Sequence, residues 1–235
     1  MNDTAAVPVL MYHEIAEATE TGSRLAVEPA AFAAQLGYLR AADFTTVTAG
    51  ELSAWLDGHG QPLPDRPVVL TFDDGYADFH QRALPLLRQH DFTATLFVTT
   101  GWHQDGWLHA GGSNRMLTRT QIAEVAAAGV EIGAHTRRHR ALDQLPRHAV
   151  HEELVTSKHW LEDQLGRAVP GLAYPFGYSS AEVRDVAREA GYGYAYAVGN
   201  QITGPASEPF ARPRLTVRRA TTLPEFRRLA DGHIT

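Results

Sequence analysis

The sequence predicts an α/β fold: a single domain over residues 1–235, built as a distorted (β/α) barrel of seven to eight mostly parallel strands. Three observations predict it. The chain has 235 residues, a length at which one α/β barrel commonly forms a single unit. Short β-branched runs alternate with helical patterns along the chain, which implies parallel strands joined by crossover helices. Strands such as Val68-Val69-Leu70 and Thr95-Leu96-Phe97-Val98 are apolar on both faces, as parallel strands buried beneath helices are.

The elements follow in order. Residues 7–13 read as the first strand and 30–41 as the first helix, followed by a strand at 45–48 and a helix at 50–57. Residues 67–73 read as a strand, followed by a helix over 78–90. A strand at 93–99 leads through a long loop, 101–117, to a helix at 119–128. That loop holds Trp102, His103, Trp107 and His109. Then come a strand at 130–135, a helix at 147–165, a strand at 171–174 and a helix at 180–190. The chain closes with a strand at 194–198, a Gly- and Pro-rich loop at 199–213, a strand at 215–218 and a helix at 223–231. Three helix starts carry the capping-box pattern: Thr118 with Gln121, Ser179 with Glu182, and Thr222 with Glu225.

Composition narrows the function classes. Apolar residues make up 44% of the chain, enough for a sizeable core. The net charge is -6 with no Lys or Arg stripe, so neither nucleic acid nor an anionic lipid surface is an expected partner. There is no cysteine, which excludes disulfides, zinc–thiolate sites and thiol nucleophiles. No apolar stretch approaches the roughly 20 residues of an integral membrane segment, and no signal peptide is visible. With Met1 as the native start, a cytoplasmic location is expected; a trimmed chain would leave an extracellular one open. Oligomeric state is not legible.

Chemistry concentrates at three strand ends. Thr71-Phe72-Asp73-Asp74-Gly75 follows the strand at 67–70. Two adjacent carboxylates at the end of a buried strand repel each other and are costly to desolvate unless a cation is present. The alternative is an Asp-Asp-Gly turn with one Asp capping the next helix. His135-Thr136-Arg137-Arg138-His139 follows the strand at 130–134. Two imidazoles and one Asp would make a three-ligand N/O set with open positions, as catalytic metal sites have. The second Asp is then free to take a proton from a metal-activated water, which suggests hydrolysis without naming the bond cut. The third segment, Ala173-Tyr174-Pro175-Phe176-Gly177-Tyr178, fixes a sharp turn whose amides could face the same place.

Together these segments resemble the first three motifs of the polysaccharide deacetylase family (NodB-like, carbohydrate esterase family four). The resemblance covers nearly the whole chain and includes Pro8–His13, Leu84–Leu87, Ala94–Phe97 and Gly129–His135. It implies a metal-dependent deacetylase that removes N-acetyl groups from an amino-sugar glycan. Asp73 is implied as catalytic base, and Asp74, His135 and His139 as metal ligands. The Phe176 amide is implied to stabilise the oxyanion with the ion, usually Zn2+, with Co2+ or Ni2+ able to serve.

The chain also departs from the family's commonest pattern. Leu172-Ala173-Tyr174 lacks the Arg that usually precedes the third motif's Pro, and no Leu-x-His motif stands near the C-terminus. The sequence is more similar to the poly-N-acetylglucosamine deacetylase-like branch, where strand order is permuted and an N-terminal strand supplies the acid. His13 fits that role, with a structural His bonded to Glu14 or a backbone carbonyl as the alternative. Arg214 is expected to replace the missing Arg and hold Asp73 ionised. Arg212, Arg218 and Arg219 are read as surface residues, most of them expected to be solvated. The competing readings are an O-acetyl esterase, a sugar-binding protein without catalysis, and a non-haem iron oxygenase.

Overall fold

A computed structural model of the chain describes residues 6–102 and 115–233; the loop residues His103, Trp107 and His109 lie outside the described residues. Eight strands form one sheet: β1 Val9–Tyr12, β2 Thr45–Val47, β3 Pro67–Phe72, β4 Thr95–Val98, β5 Glu131–Ala134, β6 Gly171–Ala173, β7 Tyr194–Tyr196 and β8 Leu215–Thr216. Between them run α1 Pro29–Ala41, α2 Ala49–Leu56, α3 Leu84–Gln89, α4 Arg119–Ala127, α5 Arg147–Leu165 and α6 Ala181–Glu189, with α7 Leu223–Ala230 last.

Every strand pairing is parallel, in the order β7-β6-β5-β4-β3-β1-β8. β2 pairs with the first half of β3, from Thr45↔Pro67 to Val47↔Val69, and β4 pairs with its last residues. A parallel bridge between Tyr196 and Arg212 joins β7 to the segment that feeds β8, so the two ends of the sheet meet. This is the distorted α/β barrel that alternation predicts.

The period-two alternation of strand side chains divides the apolar residues into two layers. Val9, Val69, Phe97, Ala173, Tyr194 and Tyr196 cluster inside the barrel with Val47 and Leu52. Leu10, Leu70, Leu96, Ile132 and Leu172 point outward and pack beneath the helices. The start of α2 plugs the barrel at the beginnings of β4 and β5. There the Glu131 carboxylate accepts from Gly50 N (3.0 Å), Thr95 Oγ1 (2.7 Å) and Tyr194 Oη (2.7 Å). A carboxylate is favoured there by the free amides and positive dipole end of the helix. A Cβ at Gly50 would meet that same carboxylate, which would have to shift away from its donors to make room.

Three local expectations are corrected. The helix read over 78–90 is a π-helical turn, Phe79–Ala83, followed by α3. Pro85 has no amide to bond back four residues, and the preceding turn widens around it. Ser180 rather than Ser179 caps α6, its Oγ accepting from Val183 N at 3.2 Å, while the Ser179 carbonyl takes the Arg184 guanidinium. Arg212 is not solvated. It is 1% exposed and donates to Asp57 Oδ1 at 2.6 Å and to Pro209 O at 3.3 Å. Its backbone carries the bridge that joins the sheet ends, which fixes its side chain in the protein. The boxes at Thr118 and Thr222 form, and a third forms at Thr48 with Glu51. Among the described residues, no helix is long and apolar enough to cross a membrane.

Candidate active site

The carboxyl ends of the strands bring the three motifs together. Asp73 and Asp74 follow β3, His135 follows β5, and Tyr174–Gly177 follow β6. The Asp73 amide donates to Tyr12 O at 3.0 Å, which extends the β1–β3 register by one residue and sets His13 beside Asp73. Along β3, Val69 and Thr71 precede Asp73 on the inward face. Unbroken alternation would then turn Asp74 outward. Its φ of 76° breaks the alternation and lets both carboxylates face one space. Thr136 (φ 65°), His139 (φ 53°) and Phe176 (φ 60°) share this left-handed conformation. Such residues persist only where surrounding contacts hold them, and here they gather at one site.

Asp74, His135 and His139 each direct one ligand atom into a cluster within 4.8 Å. His135 Nε2 lies 3.4 Å and His139 Nε2 3.3 Å from Asp74 Oδ1. His135 Nδ1 lies 2.7 Å from the Ala173 carbonyl, which can only accept. The ring proton is therefore on Nδ1, and the Nε2 lone pair faces the cluster. Asp74 Oδ1 is buried without a hydrogen-bond partner. Burial first, then the Asp73 charge, pushes the Asp74 carboxyl up to about 8, against a hydrogen bond from Tyr76. A bare carboxylate oxygen facing two imidazole nitrogens is the donor set a divalent cation satisfies.

Asp73 is held in the opposite state. Burial alone would raise its carboxyl, but Arg214, His135 and His13 outweigh burial and hold it well below the usual carboxylate range. Arg214 is fully buried and bidentate: Nη1 and Nη2 each donate to an Asp73 oxygen at 2.7 Å. The guanidinium is fixed by Ala197 O (3.2 Å) and Thr71 Oγ1 (3.2 Å). Two neighbouring carboxyls are thus driven apart, one ionised by its cation and the other in need of one.

His13 is half-buried, and among the described residues its buried Nδ1 has no hydrogen-bond partner, neither a backbone carbonyl nor a Glu14 oxygen. Desolvation first, with Arg214 and His135 adding to it against Asp73, lowers the imidazole to about 4. Phe176 is the second residue of a short turn, Pro175–Gly177, where an amide has no acceptor within the turn itself. Its ring is 56% exposed and stands 4.8 Å from the His139 ring.

Some neighbours of the site were not legible as site residues. Trp102 packs against His139 with ring centroids 5.1 Å apart. Tyr76 bonds to Asp74, Thr71 to Arg214, and Glu153 to the 137–138 backbone. Tyr76 directly follows the first motif in sequence and Trp102 opens the long loop after the strand at 93–99, but Glu153 lies mid-helix and carried no signal.

Comparison with known proteins agrees with this geometry. Residues 60–195 match the polysaccharide deacetylase family; that span holds Asp73, Asp74, His135, His139 and Phe176, and leaves out His13 and Arg214. The Bacillus subtilis protein YxkH, named for the same family, is 30% identical over 188 residues, which are 80% of this chain and 63% of YxkH. The poly-beta-1,6-N-acetyl-D-glucosamine N-deacetylase of Staphylococcus aureus is 23% identical over 204 residues, 81% of this chain and 67% of that protein. The chain therefore spans about two thirds of the length of these relatives. Among solved structures, the Streptococcus pyogenes deacetylase PplD in complex with acetate superposes with a TM-score of 0.86 at 26% identity, covering 97% of this chain and 99% of that one. IcaB from Ammonifex degensii gives 0.81 at 26% identity, covering 96% and 97%.

Proposed function

The chain belongs to the polysaccharide deacetylase family, and from that premise we propose that it hydrolyses N-acetyl groups on an amino-sugar glycan with the help of one divalent ion, Zn2+ foremost. The observation that carries this reading is the pairing of opposites at 73 and 74. One carboxylate is kept ionised by Arg214, and the other shares an orphaned oxygen with two imidazoles.

Asp74, His135 and His139 would hold the ion, which when bound polarises the acetyl carbonyl and acidifies a water. Asp73 takes the proton of the attacking water. The Phe176 amide donates to the oxyanion as the acetyl carbon becomes tetrahedral. His13 passes a proton to the departing sugar nitrogen. With its imidazole lowered to about 4, His13 rests neutral near pH 7, so the proton it gives is the one Asp73 took from the water and handed on, which returns both groups to their starting states. Arg214 keeps Asp73 ionised and fixed in direction.

The names of the relatives support an amino-sugar substrate: one acts on poly-beta-1,6-N-acetyl-D-glucosamine. The direct test is acetate release from N-acetylglucosamine oligomers by protein loaded with Zn2+, with acetylated xylan as the ester comparison. Release from the oligomers that stops with a chelator and returns with Zn2+ is expected. Release from xylan alone would replace this reading with an O-acetyl esterase, and bound oligomer without acetate would make the protein a sugar-binding relative.

A further inference from the structure

The two histidines of the site are separated by Thr136, Arg137 and Arg138, and the left-handed backbone at Thr136 and His139 gives that loop a shape it must be held in. The amides of residues 137–139 are taken by side chains. His139 N donates to Thr136 Oγ1 at 3.1 Å, a bond within the loop. Arg137 N and Arg138 N both donate to Glu153 Oε2, at 3.1 and 2.7 Å. The other Glu153 oxygen accepts from Arg138 Nε at 2.9 Å. Glu153 is 1% exposed and stands on α5, a 19-residue helix packed against the sheet. On the other side, the Thr136 and Arg137 carbonyls accept from Thr100 N (3.1 Å) and Gly101 N (2.7 Å).

We propose that Glu153 is a positioning residue for His139: its buried carboxylate clamps the 137–138 backbone and thereby sets His139 Nε2 at its distance from Asp74. This rests on the reading of Asp74, His135 and His139 as a metal site. A buried carboxylate is costly to desolvate, and three donors on two oxygens offset that cost. The arrangement admits only an acceptor at both oxygens. An amide side chain must turn its NH2 either toward two backbone N–H groups or toward Arg138 Nε, leaving donor facing donor in each case. Outer-shell contacts of this kind change metal affinity by about 10–100-fold when lost.

The test uses Glu153→Gln, with Glu152→Gln as control, since exposed Glu152 bonds only to the Arg137 and Arg138 side chains. Two quantities are read in folded apo protein: amide exchange over residues 136–139, and Zn2+ affinity by chelator competition. Glu153→Gln should speed exchange and weaken Zn2+ about tenfold or more, by the outer-shell range, while Glu152→Gln leaves both within about twofold. Unchanged exchange and unchanged affinity in Glu153→Gln would overturn the proposal, even with a lower melting temperature. If Glu153→Gln does not fold, Glu153→Asp decides by the same two readings, because it keeps the charge and shortens the reach. Wild-type protein that binds no Zn2+, with exchange still accelerated by Glu153→Gln, would sink the metal reading and leave the clamp standing.

Discussion

Asp73 is buried against a second carboxylate and is nevertheless the ionised one, because Arg214 meets both of its oxygens. A pair this deep is strongly destabilising to break, by about 3–5 kcal/mol, since removing one partner leaves a buried charge. Arg214→Met should therefore lower stability by that order. It should also free the Asp73 carboxyl to rise under burial, so the acid limb of kcat/KM moves to higher pH. The sign follows from linkage. Asp73 titrates below its ordinary 3.8 in the folded state, so the pair stabilises the protein above that pH, and its contribution fades as the pH falls further. A pH–rate profile and a denaturant titration of the variant check both. At this scale Asp73, Asp74, His135 and His139 were legible because each stands in a short motif beside an apolar strand. Arg212 and Arg214 look alike in sequence, two residues apart in one loop-to-strand segment, and both are buried. The resemblance marks Arg214 as the partner of Asp73 in place of the missing Arg, whereas nothing marks Arg212, whose partner Asp57 stands in none of the motifs.

The strand-to-turn joints carry the site, and the joint after β6 is the most constrained of them. Gly177 has a φ of 77°, and a Cβ there would meet Val198 N at 2.5 Å. Replacing it with Ala forces either the turn or the end of β7 to move, and the Phe176 amide moves with the turn. Gly177→Ala should cost about 1–3 kcal/mol, from left-handed strain with the collision added. It should lower kcat more than it raises KM, since an oxyanion donor acts in the transition state. Steady-state kinetics with a melting curve checks this, and an unchanged kcat would return the turn to a scaffold role. Element positions were legible from periodicity, since all eight strands fall within their expected runs. Their detail was not. The π-helical turn before Pro85 and the one-residue shift of the α6 cap depend on backbone geometry that hydrophobic pattern does not encode.

Across the whole molecule, alternating strands and helices were enough to imply a barrel, and a barrel was enough to place the motifs at one face. The barrel's closure and filling were not legible. They depend on contacts between distant segments: the Tyr196–Arg212 backbone bridge that joins the sheet ends, and the Glu131 carboxylate under the start of α2. Contacts of this kind between distant segments leave no periodic trace. The proposed function rests on a division of labour between adjacent carboxyls, one for the ion and one for the proton. Asp73→Asn in Zn2+-loaded protein tests that division most directly, by bound metal and acetate release measured on the same sample. Metal content near that of the unaltered protein with acetate release down by at least about a thousandfold is expected, at the upper part of the range for losing a general base. Acetate release within a few-fold of the unaltered protein, at full metal content, would contradict the account.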